Sequence, residues 1–172
     1  MILSRLGNKS AIADKIIQYF PSHEIYIEPF FGAGGMFFNK PKVQFNIVND
    51  LDSDVFNLFQ VVMNQKDELE KAFYMMPIHS DLLEYWKANK ETDSIRKALR
   101  FLLISNFTMK GIGNNKKNKK SNTKTNILNM LNETNNKLNN VLFNNTDYRK
   151  FMQKISHRHG DIDRKRSFIY AD

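Results

Sequence analysis

A glycine-rich turn and the carboxylate that follows it are the residues of this sequence best suited to bind a small ligand. The turn is Glu28-Pro29-Phe30-Phe31-Gly32-Ala33-Gly34-Gly35, and Asp50 ends the next apolar run. Glycines let the backbone pass closely under a ligand, and a carboxylate at the end of the next strand can accept hydrogen bonds from ribose hydroxyls. The turn is neither G-x-G-x-x-G nor a P-loop, which disfavours a diphosphate ligand. S-adenosylmethionine, a nucleoside without a diphosphate, fits this pair.

Both features also have a purely structural explanation. The glycines could serve only as a tight turn between a strand and a following helix. Asp50, like its neighbours Asp52 and Asp54, could cap a helix. Of the three, Asp54 is predicted to cap the helix that carries Val55 and Leu58.

The elements that must position these residues alternate between strands and helices. Four short apolar runs are predicted as strands, and each leads into glycines or a carboxylate: Ile25–Ile27, Phe45–Asp50, Val141–Phe143 and Ser167–Asp172. A helix over Ser10–Phe20 precedes them and stops at Pro21. This alternation predicts an α/β protein with a mainly parallel sheet. The ligand crevice of such a sheet lies outside the carboxyl ends of its strands.

A helical region interrupts the alternation. The apolar spacing is helical from Lys66 to Met109 and again from Ile127. Between them the apolar pattern disappears over residues 110–126, which are rich in Lys and Asn. This stretch is predicted to be a mobile basic loop or hairpin, with a disordered, solvated tract as the alternative.

The composition excludes several classes of protein. The sequence has 172 residues, is 41% hydrophobic and contains no cysteine, so a globular fold without disulfides, Cys-based zinc sites or thiol catalysis is expected. No apolar run approaches the ~18 residues of a membrane span, which predicts a soluble protein with no membrane contact and a cytoplasmic location. The net charge of +8 has two explanations that are about equally good. The protein could bind polyanions, or its basic composition could reflect an AT-rich genome.

A second basic cluster, from His157 to Arg166, contains alternating potential metal ligands. His157, His159, Asp161 and Asp163 could lie on one side of an extended chain. Gly160 and the interleaved basic residues favour a solvated loop, so no metal site is predicted.

The order of these motifs resembles the Dam-type adenine-specific DNA methyltransferases across the whole chain. It is carried by Leu6-Gly7-Asn8-Lys9, the Glu28–Gly35 run, Asn49-Asp50 and the strand ending at Asp172. The resemblance implies a Rossmann-like methyltransferase sheet with strand order 3-2-1-4, formed by residues 1–65 and 141–172, which binds S-adenosylmethionine. Residues 66–140 would be an inserted helical target-recognition region with the basic loop 110–126.

The same resemblance implies a set of cofactor-binding residues. Lys9 would reach the methionine carboxylate, Asp50 would hold the ribose, and Asp147 would read the amino group of the cofactor's adenine. A turn-capping role is the alternative for Asp147. Arg5 stands where the family has an aromatic residue close to the cofactor. The full set is Arg5, Lys9, Phe31, Gly32, Gly34, Asp50 and Asp147, in which Phe31 walls the pocket and the two glycines pass under the methionine moiety.

Asp172 resembles the first residue of the family's Asp-Pro-Pro-Tyr motif and is the expected catalytic residue. In the family this Asp accepts a hydrogen bond from the exocyclic amine of an adenine extruded from double-stranded DNA. The chain would then stop inside the motif, so it is expected to be an inactive amino-terminal fragment. Its fourth strand would be an exposed edge through which two copies could dimerise.

The DNA contacts implied by the resemblance lie in the inserted region. The expected residues are Asn106, Lys110, Lys116, Lys117, Lys119 and Lys120. No arginine closely follows Asn106-Phe107, so the GATC specificity of some relatives is not assigned. A non-catalytic DNA-binding module with the same fold is the alternative function, and restriction-modification, phage and housekeeping contexts are equally compatible.

Overall fold

A parallel sheet forms one part of the molecule. The computed structural model describes residues 2, 3, 5, 7–107, 124–158 and 164–172. Within them lie four strands, β1 (Ile25–Glu28), β2 (Phe45–Asn49), β3 (Val141–Asn144) and β4 (Ser167–Ile169). They pair in parallel in the order β3-β2-β1-β4. The α/β class and the 3-2-1-4 order are confirmed and all four predicted strands are present, but β2 ends at Asn49 and β4 at Ile169, before the predicted ends at Asp50 and Asp172.

The central strand β1 is apolar on one face and mixed on the other. Its residues Ile25 and Ile27 pack with Ile47 and with Phe151 of helix α7 (Tyr148–Arg158). Side chains alternate between the two faces of a strand, so Tyr26 and Glu28 share the opposite face. Both are buried, so the polar side-chain groups of β1 lie on this face.

The helices largely follow the predicted periodicity. Those preceding α7 are α1 (Ala13–Ile17), α2 (Ser53–Asn64), α3 (Lys66–Met75), α4 (Ser80–Ala88), α5 (Ser94–Phe107) and α6 (Lys124–Leu138). A 3-10 turn, Lys9–Ile12, runs into α1. The predicted helix Ser10–Phe20 is therefore too long: its α-helical part ends at Ile17, because the residue before Pro21 is disfavoured in helical conformation.

The helix predicted after the glycine turn is absent, and the chain instead forms consecutive turns over residues 35–39. Two hydrogen bonds of helical spacing occur there, Phe38 N to Gly34 O and Lys40 N to Met36 O, both 2.9 Å. Gly34 has a φ of +74°, which a right-handed helix excludes. Pro41 cannot donate the next backbone hydrogen bond. A helix cannot extend between these two residues.

Two further local predictions are corrected. Asp52, and not Asp54, caps α2, because the Asp54 amide donates to Asp52 Oδ1 at 2.9 Å and Asp54 already lies in the first turn of the helix. Helix α6 begins at Lys124, so the last three residues of the predicted basic loop are helical. The other residues of that loop lie outside the described residues.

The chain folds into two compact units. The sheet unit comprises Asn8–Phe56 and Asn140–Asp172, and the helical unit comprises Met1–Gly7 and Asn57–Asn139. The helical unit has its own core of fully buried side chains, among them Leu69, Phe73, Leu102, Leu103 and Leu131. No helix in the described ranges is long and apolar enough to cross a membrane.

Candidate functional site

Carboxylates lie at the carboxyl ends of all four strands of the sheet unit. Glu28 is the last residue of β1, and Asp50 directly follows β2. Asp147 follows β3 and immediately precedes α7, and Asp172 follows β4. Because the strands are parallel, these ends lie along one edge of the sheet, where α/β proteins bind ligands. The structure thus brings together acids that are far apart in the sequence.

A buried asparagine holds three of these strand ends together. Asn49, which is 1% exposed, donates from Nδ2 to Pro29 O and to Thr146 O, each at 3.0 Å. Its Oδ1 accepts the Thr146 amide at 3.1 Å. The segments that follow β1 and β3 are therefore fixed to the end of β2. The sequence offered only the Asn49-Asp50 pair as a signal, without the role of the amide.

The glycine turn is tied to Asp50. The Gly32 amide donates to Asp50 Oδ2 at 2.5 Å, while Asp50 Oδ1 accepts the Asp52 amide at 2.8 Å. Gly32 has a φ of +55°, in the left-handed region that favours glycine. The turn and the acid, which the sequence suggested as a pair, are in direct contact.

Gly34 allows a close approach of aromatic rings. A Cβ at this position would lie 2.5 Å from the Phe38 ring and 2.7 Å from the Phe31 ring. Phe31 itself is 2% exposed and packs edge-on against Phe143, with ring centroids 4.9 Å apart. The structure therefore places Phe31 in the hydrophobic core beneath the turn.

Gly35 packs closely against the segment that begins with Asn8. A Cβ on Gly35 would overlap Asn8 Oδ1 and would lie 3.0 Å from the Lys9 amide. Asn8 Oδ1 also accepts the Ser10 amide at 3.1 Å, which caps the 3-10 turn. Two motifs separated in sequence thus pack against each other, and Gly35 is a site residue that the sequence did not single out.

Lys9 pairs with Asp172 across this edge of the sheet unit. Lys9 Nζ lies 2.9 Å from Asp172 Oδ2, and their side chains are 33% and 41% exposed. Two residues at opposite ends of the sequence, both expected in the site, are therefore in contact. Their partial exposure leaves both groups accessible to a ligand.

Glu28 is the most perturbed acid at the site, and the sequence noted it only as part of the glycine run. It is 3% exposed, and Oε2 accepts the Tyr26 hydroxyl at 2.9 Å. Burial raises the pKa of Glu28 to about 8, against the lowering effects of the Tyr26 hydrogen bond and the Lys40 charge. Such a shift in a crevice is typical of functional sites.

The family of the chain follows from comparison with known proteins. The model of the D12 class N6 adenine-specific DNA methyltransferases matches residues 6–172. The chain belongs to this family. A member of a methyltransferase family requires a methyl donor.

Curated relatives agree with the family. A DNA adenine methylase of Salmonella typhimurium is 30% identical over 112 residues, which cover 62% of this chain and 40% of the relative. A DNA adenine methylase of Escherichia coli K12 is 29% identical with the same coverage. The DNA N-6-adenine-methyltransferase of Escherichia phage P1 is 27% identical over 62% of this chain and 15% of its own length. The chain thus spans about two-fifths or less of the length of these relatives.

Two exposed aromatic side chains lie at the same edge of this methyltransferase sheet. Phe30, in the glycine turn, and Tyr148, the first residue of α7, are 46% and 43% exposed. Their ring centroids are 5.4 Å apart. Asp147, next to Tyr148, accepts the Arg149 amide at 2.9 Å and so caps α7. Sequence reasoning missed the aromatic pair because the two residues come together only in the folded sheet.

The expected site residues of the helical unit have contacts of their own. Arg5 lies over the Phe101 ring, with its guanidinium carbon 5.6 Å from the centroid. Asn106 is 7% exposed, and its Nδ2 donates to Ile2 O at 2.7 Å and to Leu102 O at 3.0 Å. These contacts favour a structural role for Asn106, and its predicted contact with DNA stays a prediction.

Several predicted residues lie outside the described residues. They are Lys110, Lys116, Lys117, Lys119 and Lys120 of the basic loop, together with His159, Asp161 and Asp163. Among the residues that are described, no group of acids and histidines is arranged to hold a metal ion.

Proposed function

We propose that the protein transfers a methyl group from S-adenosylmethionine to the exocyclic amine of adenine in DNA. The proposal is carried by one observation: in a chain of the adenine methyltransferase family, acids lie at the carboxyl ends of β1, β2 and β4, and the acid after β2, Asp50, contacts the glycine turn. A family fold alone would not assign an activity. These residues supply the chemistry that the methyl donor requires.

The residues present fit S-adenosylmethionine. The donor carries a sulfonium and an ammonium group, which acidic side chains would stabilise, and a carboxylate, which Lys9 can receive. Gly32, where an added Cβ would meet no atom within 4 Å, leaves open space in which a ligand can approach the backbone of the turn. When bound, S-adenosylmethionine supplies a methyl group activated by the positive sulfur.

The finer assignments follow from the chemistry of each side chain. Asp50 would accept hydrogen bonds from the ribose hydroxyls through the lone pairs that Gly32 and Asp52 leave free. Phe30 and Tyr148 would contact the faces of the adenine, because exposed aromatic rings at a crevice favour stacking. The neighbouring Asp147 would accept from its amino group. The remaining cofactor contacts of the site are proposed for Lys9, Phe31, Gly32 and Gly34, and Arg5 stays a prediction.

Asp172 would act on the target base. Its carboxylate would accept a hydrogen bond from the exocyclic amine and aim the nitrogen lone pair at the methyl group, so that positioning supplies much of the catalysis. The target adenine must leave the duplex, since its amine is paired there. The Lys9 contact would then pass from Asp172 to the carboxylate of the donor.

We propose that residues 66–140 recognise the DNA and that residues 1–65 and 141–172 hold the methyl donor. The lysines of residues 110–120 would contact phosphates, since each neutralised phosphate releases a counterion. Because DNA is the proposed substrate and the relatives are bacterial, the protein would act in the cytoplasm, the compartment that holds DNA in bacteria.

The function is tested by expressing the protein in a bacterial host that lacks adenine methylation. We expect N6-methyladenine in the host DNA by mass spectrometry when these residues are expressed within a full-length family protein, and none when that protein carries Asp172→Ala. DNA binding without methyladenine, and without any affinity for S-adenosylmethionine, would support the non-catalytic DNA-binding module instead.

We also propose that two copies of the chain associate through β4. This strand pairs with β1 on one side, and Ile169 is 44% exposed. Beside it lies an apolar cavity of about 310 Å³, lined in part by Ile27, Met152 and Ile155. Exposed strand edges of this kind favour pairing with another chain.

Light scattering tests the association. We expect a dimer that Ile169→Lys converts to a monomer, because a charge on an edge strand opposes pairing. Ile12→Lys is the matched control, since Ile12 has the same 44% exposure away from the sheet edge. A wild-type chain that stays monomeric at high concentration would rule out this contact.

A further inference from the structure

A half-buried lysine lies next to the acidic site. Lys40 Nζ donates to Asn46 Oδ1 at 2.7 Å and lies 4.4 Å from the centroid of the Tyr26 ring. The pKa of Lys40 is lowered to about 8 by burial, against the raising effect of Glu28. Burying a charged group is unfavourable unless a partner compensates it. The partners here are the face of Tyr26 and the charge of Glu28.

The same tyrosine joins Lys40 to the site. Tyr26 is fully buried, its ring lies against the ammonium, and its hydroxyl donates to Glu28 Oε2. Within the described part of the chain, Glu28 Oε1 accepts no hydrogen bond, so this oxygen is left for a ligand. Lys40, Tyr26 and Glu28 thus contact one another in series. The Lys40 ammonium lies against the Tyr26 ring, and the Tyr26 hydroxyl donates to Glu28 at the candidate crevice.

We propose that Lys40 is a positioning residue for the methyl donor. Through Tyr26 it holds the Glu28 carboxyl in place, and its positive charge favours the ionised form of Glu28. The ionised carboxylate binds the cationic end of the donor. This inference rests on the proposed function. Lys40 does not touch the ligand; it sets the state of a group that does.

The charges around Glu28 explain why this lysine matters. Asp50 and Asp172 both oppose ionisation of Glu28, whereas Lys40 and the Tyr26 hydroxyl favour it. A ligand cation binds the ionised carboxylate, so affinity should rise with pH as Glu28 loses its proton. The acid limb of the affinity profile is the low-pH part, in which affinity rises as Glu28 loses its proton. Without the lysine charge Glu28 ionises less readily, so the acid limb must move to higher pH.

Calorimetric titration with S-adenosylmethionine between pH 6 and 9 tests the proposal. For Lys40→Met we expect the acid limb to move upward by about one pH unit, and affinity on that limb to fall about tenfold. Lys40→Arg, which keeps the positive charge over the whole range, should place the limb at or below its wild-type pH. Lys42→Met is the matched control, since Lys42 is exposed in the same loop. The ligand's own titration is common to all variants.

The outcomes distinguish the role of Lys40 from the proposed function. A folded Lys40→Met protein with an unchanged acid limb would overturn the role of Lys40 while leaving the proposed function intact. If Lys40→Met does not fold, Tyr26→Phe replaces it: the ring under Lys40 stays, the hydroxyl donor to Glu28 is lost, and the limb should again move upward. An unmoved limb in Tyr26→Phe would overturn the inference. No binding by the wild-type chain would overturn the proposed function and this inference with it.

Discussion

Replacement of Asp50 by alanine is expected to weaken the binding of S-adenosylmethionine by roughly 10- to 100-fold, the value of a hydrogen bond to a charged group. Asp50 is the proposed acceptor for the ribose hydroxyls, and the same carboxylate holds the Gly32 amide. The variant removes the proposed ligand contact and loosens the turn that is proposed to pass under the methionine moiety. Calorimetric titration of the wild-type and variant chains measures the effect.

A neighbouring acid separates ligand contact from local loosening. Asp52→Ala removes the cap of α2, where Asp52 accepts the Asp54 amide, and leaves the contact between Asp50 and Gly32 in place. It should lower stability by about 1 kcal/mol, a typical cost of losing a cap, with little change in affinity. Wild-type affinity in a folded Asp50→Ala protein would refute the assignment of Asp50.

Gly34→Ala is expected to give the largest loss of stability. The φ of +74° is unfavourable for alanine, at about 1–2 kcal/mol. The added Cβ would also meet the Phe31 and Phe38 rings at 2.5–2.7 Å, and overpacking a core costs about 1–3 kcal/mol. Chemical denaturation should therefore show a free energy of unfolding lower by about 2–5 kcal/mol.

Gly32→Ala is the matched control for this substitution. Gly32 also has a positive φ, +55°, but a Cβ there meets no atom within 4 Å. Its expected cost is the backbone cost alone, about 1–2 kcal/mol. Equal destabilisation by the two variants would show that the close approach of the aromatic rings to Gly34 contributes nothing.

The sheet could be predicted from the sequence because its signals are local. Each strand is a short apolar run that ends in glycines or an acid, and the resemblance of the motifs supplied the strand order. The contact between the glycine turn and Asp50 followed from the parallel arrangement of β1 and β2. Such patterns predict the structure correctly because the residues of each pattern themselves form the strand or turn that the pattern indicates.

The polar interior of the site could not be predicted, because it depends on long-range contacts. Nothing near Lys40 in the sequence indicates that its ammonium lies against Tyr26, since this depends on the path of the turns that replace the predicted helix. The pairing of Phe30 with Tyr148 likewise requires β1 and β3 to lie in one sheet. The resemblance implies a DNA contact for Asn106, and nothing in the sequence indicates that its side-chain amide donates to Ile2 O and Leu102 O.

Titration calorimetry of this chain with S-adenosylmethionine tests most directly whether the sheet unit binds that ligand. We expect saturable binding of one ligand per chain, with a dissociation constant on the order of micromolar, and a clear loss of affinity in Asp50→Ala. A chain that is folded by circular dichroism but shows no saturable heat up to about 1 mM ligand would contradict it.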